Sequence, residues 1–522
     1  MKAAIRSLVI GAPWFALLAF LLAWTTGAGR VCAAGSVFDE DETGSGSAAK
    51  ALASGWWTTE LAALEPAPRP SPPTPPVPPP FNGKPSATRR IAPEDVEGLR
   101  LLGHANVPLK VVMACARPTR DEVQAMFDVV RTIADLPGLD RKERPTLHVL
   151  FSSPESLAGL DIPPGEIGRT IEFERWRLPA GEFDGWLQDI GEIAVCRSRG
   201  ADRDRLAILD SQREGSLSGF PETLAREWSA FFLSAPGVAD ARGGNYGGNV
   251  EVAPDDSLLL GSTSTAAMRD LLSRCGYRDR MVVLDTDWLG VGHVDECVST
   301  LPMPDGDLGY AIVKADPDLA LELLGKLSDA DWEREFRQAV RNFFLASARF
   351  PEVLDQDGAR GRAMFERTVT QREAVRSSDS LALFANRRAA RQMAGNLDTL
   401  KAFLRKRHGD AIEVPVLSFP VLFIDPQEIN GPLEALLPNA VNMVVLREHL
   451  VVPDPFFPCL RAAIQKAVEP LGYTCHFMQT FSYHASLGQI HCGSNVFRHP
   501  NRYVHPRYAR QRNARPAETS GR

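Results

Sequence analysis

No two of the eight cysteines in this 522-residue chain are spaced as C-x-x-C. That excludes the usual paired-thiol zinc cluster, and cysteines so scattered are not a dense disulfide scaffold. A basic surplus is missing too: the formal net charge is -7, so the footprint of a nucleic-acid binder is absent. There is no G-x-G-x-x-G, and the glycine-rich stretch GGNYGGNVEVAP (243–254) lacks the strand-to-helix transition of a dinucleotide fingerprint. No internal repeat is visible by eye. What is present is ordinary for a globular protein, 44% hydrophobic and 24% charged residues. The length leaves room for more than one domain, or for a single large one.

The N-terminus has a recognisable order. Lys2 and Arg6 precede an apolar run from Leu8 to Trp24, broken by Pro13, and small residues crowd the far end at 27–29 and 33–35. Basic, apolar and small in succession reads as a secretory signal, favoured over a retained membrane anchor. We therefore expect residues 1–34 to be a signal peptide. The chain would then be secreted or extracytoplasmic, with no membrane contact after cleavage. Loss of Cys32 leaves an odd number of cysteines, so at least one thiol stays outside internal pairing. One or two bridges among the others would suit an exported protein. Residues 35–104, with the proline-rich run 66–80, read as a disordered, semi-rigid spacer. Residues 105–500 read as a single folded domain and 501–522 as a basic disordered tail.

Strand-like runs occur at Val111–Met113, Leu147–Phe151, Leu206–Leu209, Met281–Leu284, Leu308–Val313, Val414–Ile424 and Val441–Leu446. Helical spacing occurs at Val123–Val130, Asp318–Leu327, Asp331–Ala346, Arg387–Lys406 and Leu460–Val468. Alternation of the two indicates an α/β domain.

The chemistry-bearing residues lie in separate segments. Cys492 stands between His491 and Gly493. A lone cysteine is more often a small buried hydrophobe than a nucleophile. In an extended stretch His491 would point away from it, which makes His491 a poor base for that thiol. His293 and Asp295 are two apart and would share a face of an extended segment, following the apolar run Met281–Leu284. In the segment 186–192 (WLQDIGE), an extended backbone would put Gln188, Ile190 and Glu192 on one face and Asp189 on the other, with Trp186 nearby. The first face offers hard oxygen ligands of the kind calcium takes, and Glu251 offers another. The alternatives are a structural histidine, a solvated strand edge and a simple turn.

These segments, taken in this order, resemble the catalytic domain of the calcium-dependent protein-arginine deiminases, from about Val107 to Arg498. Leu209-Asp210-Ser211 with Arg213, the stretches 438–443 (PNAVNM), 453–456 (PDPF) and 469–472 (EPLG), and above all 488–496 (GQIHCGSNV) add to the likeness. The resemblance implies a five-bladed α/β propeller of the pentein type. It also implies hydrolysis of the guanidinium of peptidyl-arginine to peptidyl-citrulline and ammonia, through a covalent cysteine intermediate. By motif, Cys492 would be the nucleophile, His293 the general acid/base, and Asp189 and Asp295 the guanidinium clamps. Trp186 would wall the substrate's aliphatic stem and Arg213 would grip the substrate. A nearer Ca2+ would be held by Gln188, Glu192 and Glu251, and a second by Asp210 and Ser211. Ile190 and Glu214 stand where ligands of the second ion are expected, and Gly215 where the family has a second arginine, which weakens the preference for peptidyl over free arginine. The partner implied is an arginine-containing protein or peptide. The alternatives are a deiminase or amidinotransferase acting on a small guanidino compound, a calcium-binding pseudoenzyme used for recognition, and a cysteine protease.

Overall fold

Strand-forming residues recur here in a fixed local order, which becomes visible only in three dimensions. The computed structural model describes residues 88–116, 118–176, 185–214, 218–235, 243–348, 381–426 and 430–514. The expected signal segment (residues 1–34), the proline-rich run and Gly215 lie outside them. Two short strands come first, β1 (Arg89–Arg90) and β2 (Val96–Leu101). The folded region therefore starts earlier than residue 105. β2 was hard to read because only Val96, Leu99 and Leu101 are buried and Gly98 sits at a register shift.

β3 (Asn106–Cys115) is followed by helix α1 (Arg120–Ala134), β4 (Thr146–Phe151) and β5 (Ile171–Arg175). Val111, Val112 and Met113 are an unbroken buried run, because β3 is covered on both faces. In α1, Val123, Met126, Phe127, Val130 and Ile133 fall on one face and are fully buried. The next group is β6 (Gly191–Ser198), β7 (Arg205–Asp210), α2 (Phe220–Glu227) and β8 (Phe231–Ser234). It is succeeded by β9 (Val250–Val252), β10 (Leu258–Gly261), α3 (Ala266–Leu272) and β11 (Met281–Leu284). Then come β12 (Val298–Pro302), β13 (Tyr310–Asp316), helices α4 (Pro317–Gly325), α5 (Asp329–Ala348) and α6 (Leu381–His408), and β14 (Val416–Pro420). A two-stranded sheet, β15 (Phe423–Ile424) with β16 (Glu434–Ala435), splits what the sequence suggested was one strand to Ile424. The last groups are β17 (Val444–Leu446), β18 (His449–Pro453), α7 (Pro458–Val468) and β19 (Thr474–Met478), then β20 (Ser494–Tyr503).

One topology recurs: an antiparallel strand pair, a helical crossover, and a third strand parallel to the second. It occurs in β6-β7-β8, β9-β10-β11, β12-β13-β14 and β17-β18-β19. It occurs a fifth time in β20-β3-β4, where the last strand of the chain pairs antiparallel with β3 near its start. Among the described residues no sheet closes on itself. The domain is α/β, as expected.

Part of the C-terminal tail is also structured. Pro506–Ala514 is a helix, α8, anchored by buried Tyr508, whose hydroxyl donates to the Gly309 carbonyl at 2.6 Å. The disordered tail expected from Asn501 on is thus ordered to Ala514; the residues beyond lie outside the described range. Cys115, Cys196, Cys275, Cys297, Cys459, Cys475 and Cys492 are all free, so the bridges that would suit an exported protein are absent among the described residues. Cys115, Cys196, Cys275 and Cys297 are core residues instead. Among the described residues no helix is long and apolar enough to cross a membrane.

Candidate active site

Each of the five groups presents a tight turn just before its first strand, and the chemistry-bearing residues sit on those turns. They are Gln188–Ile190 before β6, Gly247–Asn249 before β9 and Val294–Glu296 before β12, all 3-10 turns. The other two are 439–443 before β17, closed by Asn442 N donating to Asn439 O at 3.2 Å, and 489–493 before β20, closed by Gly493 N donating to Gln489 O at 3.0 Å. The turns touch in a ring. Cys492 O accepts from Gln188 N at 3.1 Å. A Cβ on Gly247 would lie 2.1 Å from Gln188 O, so those two turns are in backbone contact. Asn249 Oδ1 accepts from Val294 N at 3.1 Å, Asn439 Nδ2 donates to Glu296 O at 2.6 Å, and Asn442 Nδ2 reaches Cys492 Sγ at 3.2 Å.

The turns replace the extended backbone assumed for these segments, so the faces arise differently. Gly191, at φ 142, ends the first turn where a Cβ would strike Leu209 O at 2.1 Å. The turn brings Gln188 and Glu192 together, with Gln188 Nε2 donating to Glu192 Oε1 at 2.8 Å, and buries Ile190 in the apolar core. Asp189 is turned to another side. Its Oδ1 lies 3.7 Å from His293 Nδ1 and its Oδ2 lies 3.4 Å from Arg213 Nη1.

His293 caps its turn. Glu296 Oε1 accepts the backbone N–H groups of Gly292 at 3.0 Å and His293 at 2.9 Å, which locks the loop. His293 Nε2 is 3.2 Å from the Gly243 carbonyl. A carbonyl only accepts, so Nε2 carries the proton and Nδ1 keeps its lone pair. His293 Nδ1 and Asp295 Oδ1 are both buried without a hydrogen-bond partner. Gly248 makes room for them: a Cβ there would stand 2.8 Å from His293 Nδ1 and 2.9 Å from Asp295 Oδ2.

Cys492 Sγ lies 3.6 Å from Asp295 Oδ2. Burial pushes its thiol well above the ordinary range, and the Asp295 and Asp189 carboxylates add to that. It faces an opening of about 440 Å³ also lined by Glu296, Glu434, Asn439, Asn442 and Gly488. Trp186 is half-buried behind this wall, packed on Tyr483 with ring centroids 5.5 Å apart and tight against Gly488. Arg213 is drawn inward: besides Asp189, its guanidinium stacks on Tyr246 at 4.7 Å.

A second opening, of about 420 Å³, is lined by Gln188, Glu192, Glu251, His104, His491 and Arg498 among others. Burial raises the Glu192 carboxyl well above its ordinary value and the Glu251 carboxyl to about 7, with neighbouring carboxylates contributing. Glu251 Oε1 is buried without a hydrogen-bond partner. Converging hard oxygens whose negative charge is poorly compensated fit a dication such as calcium. The second set is not assembled in the same way. Ser211 Oγ donates to Asp189 O at 2.6 Å, while Asp210 accepts from Gln212 N at 3.1 Å and Ser234 Oγ at 3.0 Å.

Three participants went without a role in the sequence. Asn442 holds both the backbone and the sulfur of Cys492, at 3.3 Å and 3.2 Å. His491 is not turned away from the site: its Nδ1 is 2.9 Å from Asp295 Oδ2. His104, from the loop before β3, joins the second opening. Asn442 and His491 lay inside segments that carried the resemblance, whereas His104 had no local signal.

Residues 260–504 match the protein-arginine deiminase family model. This segment belongs to the protein-arginine deiminase family. It contains three of the five turns, those bearing His293 and Asp295, Asn442, and Cys492. Among curated relatives, protein-arginine deiminase type-3 of Rattus norvegicus is 29% identical over 344 residues, covering 61% of this chain and 47% of the relative. Protein-arginine deiminase type-1 of Mus musculus is 32% identical over 345 residues, covering 61% and 46%. The chain thus spans about half the length of the curated deiminases it matches. Among solved structures, agmatine deiminase of Enterococcus faecalis aligns with TM-score 0.44 at 14% identity, over 79% of this chain and 100% of that one.

Proposed function

We propose that this chain is a calcium-dependent protein-arginine deiminase. One observation carries the reading: the Cys492 thiol, the Asp189 and Asp295 carboxylates and the His293 imidazole converge from distant segments, with Asp295 Oδ1 and His293 Nδ1 buried and lacking hydrogen-bond partners. A guanidinium is planar, permanently charged and rich in N–H donors, so it satisfies such carboxylate oxygens well. Its positive charge beside Asp189 and Asp295 also offsets the field that keeps the Cys492 thiol protonated.

Held there, the substrate presents its central carbon to Cys492, which gives its proton to the Nδ1 lone pair of His293 and attacks as the thiolate. A tetrahedral adduct forms. His293, protonated at Nδ1, gives that proton to the departing nitrogen as the C–N bond breaks and ammonia leaves. The remaining thiouronium is hydrolysed by water, which His293 Nδ1 deprotonates, and the C–S bond breaks to release the ureido product and restore the thiol. Gln188, Glu192 and Glu251 would hold calcium, which would neutralise buried carboxylates and stiffen the turn that carries Asp189. The five recurring groups and the ring of turns support a five-bladed propeller. The signal-like residues 1–34 support action outside the cytoplasm.

Incubation of a blocked arginine peptide with and without calcium, followed by mass spectrometry, tests the reading. Exchange of an imine nitrogen for oxygen at arginine, seen only with calcium, is the expected result. The inward position of Arg213, against Asp189 and Tyr246, favours a second reading in which a small guanidino compound is the substrate. Conversion of free arginine or agmatine, with no conversion of the peptide, would replace the first reading by the second.

A further inference from the structure

The second opening holds more than hard oxygens. His104, Glu251 and His491 come from the loop before β3, from β9 and from the turn before β20, and their ligand atoms all lie within 4.8 Å of one another. We infer that this trio is a second cation-binding mode of the cavity, selective for a first-row transition-metal dication such as zinc or cobalt. Calcium takes oxygen ligands, whereas imidazole nitrogen suits zinc, copper, nickel and iron.

The tautomers are set for ligation. His104 Nδ1 is 2.7 Å from the Thr300 carbonyl, which only accepts, so Nδ1 carries the proton and Nε2 keeps the lone pair. His491 Nδ1 is 2.9 Å from Asp295 Oδ2, and its Nε2 points to Glu251 Oε1 at 3.4 Å. Each ring is thus held through one nitrogen by a carbonyl or carboxylate, as metal-binding histidines are, and the other nitrogen of His491 faces Glu251. Glu251 Oε1 is buried, makes no hydrogen bond and has His491 Nε2 at ion-pair distance, so it is available to a cation between the rings. A purely structural histidine would account for the bond from His104 to Thr300, but not for two rings and a carboxylate gathered within 4.8 Å. Arg498 also lines the opening, and its guanidinium is engaged by Val445 O, to which it donates at 2.9 Å.

Glu251 belongs to both ligand sets, so the two classes of ion exclude one another. A metal on His491 Nε2 would also load Asp295 through the opposite ring nitrogen, next to Cys492. The transition-metal site stands without the calcium reading; only the competition rests on it.

Cobalt titration of the metal-free full-length protein, followed by visible absorption, tests the inference. Wild type is expected to develop d–d bands, and His104→Gln and His491→Gln to bind cobalt at least about tenfold more weakly. Melting of the metal-free variants by circular dichroism checks that they fold. Should they not fold, X-ray absorption of zinc-loaded wild type decides, with two imidazoles expected in the coordination shell. Cobalt binding by His104→Gln equal to wild type, a thiolate charge-transfer band lost in Cys492→Ala, or a sulfur neighbour to zinc would overturn the site. Displacement of cobalt by calcium tests the competition alone, and its absence would leave the transition-metal site intact while removing the shared ligand.

Discussion

At the scale of single residues, the site depends on small clearances and on which proton sits where. His293 offers a lone pair at Nδ1 because Nε2 is tied to the Gly243 carbonyl, so its replacement removes the proposed acid and base together. His293→Ala should lower kcat by about 10²–10⁴-fold in a citrulline-release assay. Gly248→Ala would place a methyl 2.8 Å from His293 Nδ1 and 2.9 Å from Asp295 Oδ2. Its expected signature is loss of activity at a near-normal melting temperature, because the clash is with two side chains of the site rather than with the core. Glu122 gives a pH effect away from the site. It is fully buried on α1, bonded by Ser482, and burial raises its carboxyl from 4.5 to about 8. Between those values the folded protein holds a proton that the unfolded chain releases. The stabilisation is therefore complete below 4.5 and is lost as pH rises through about 8. Urea unfolding should show wild type losing a few kcal/mol between about pH 5 and pH 8, and Glu122→Gln, a neutral mimic, losing less.

At the scale of elements, turns and helix ends decide where the chemistry lands. The Glu296 carboxylate holds two backbone N–H groups that would otherwise be orphaned, so the turn carrying His293 and Asp295 depends on it. Glu296→Ala should cost about 1–3 kcal/mol in denaturant unfolding and also reduce activity. Helix α6 shows how sequence pattern and tertiary contact combine. Ala385, Ala389, Met393, Asn396, Leu400 and Leu404 form its buried stripe. Its last turn is basic, as the helix dipole favours, and His408 Nε2 reaches Asp255 Oδ2 at 2.7 Å in the β9–β10 turn. Burial works against the Asp255 charge, but His408, Ser257 and Arg407 outweigh it and hold the carboxyl at about 2. Asp255→Asn is expected to destabilise the fold by about 3–5 kcal/mol at neutral pH, measured by chemical denaturation.

At the scale of the whole molecule, the last strand completes the first group. β20 pairs with β3 from Ser494↔Met113 to Tyr503↔Asn106, and Cys492 sits immediately before it. Truncation after Gly493 should therefore do more than shorten a tail. It leaves β3 an open edge and removes the strand that fixes the nucleophile's turn. The expected outcome is loss of the cooperative thermal transition, not only loss of activity. A truncated chain that melted like wild type would show that β20 is dispensable to the fold.

The α/β alternation was legible because its signals are local. Met281–Leu284 is a strand with the limits its apolar run suggested, and the helical spacings near 123–130 and 460–468 fall within α1 and α7. The chemistry was legible as residue types: Cys492, His293, Asp189, Asp295, Gln188, Glu192 and Glu251 all carry side chains that act only in company. The backbone around them was not legible, because a 3-10 turn such as Gln188–Ile190 has no apolar period and reads as an extended segment. The fivefold recurrence was invisible because it is shared topology without shared residues, and one group joins the two ends of the chain. His104 had no local signal at all, and Asn442, though inside the quoted stretch 438–443, acquires its role only through its contact with Cys492. The sequence by itself determined which functional groups exist and which segments become strands and helices. The tertiary structure alone decided that five turns meet, that His491 bridges toward Glu251 and Asp295, and that a buried thiol lies beside carboxylate oxygens, since contacts between residues hundreds of positions apart are set by sheet pairing and burial.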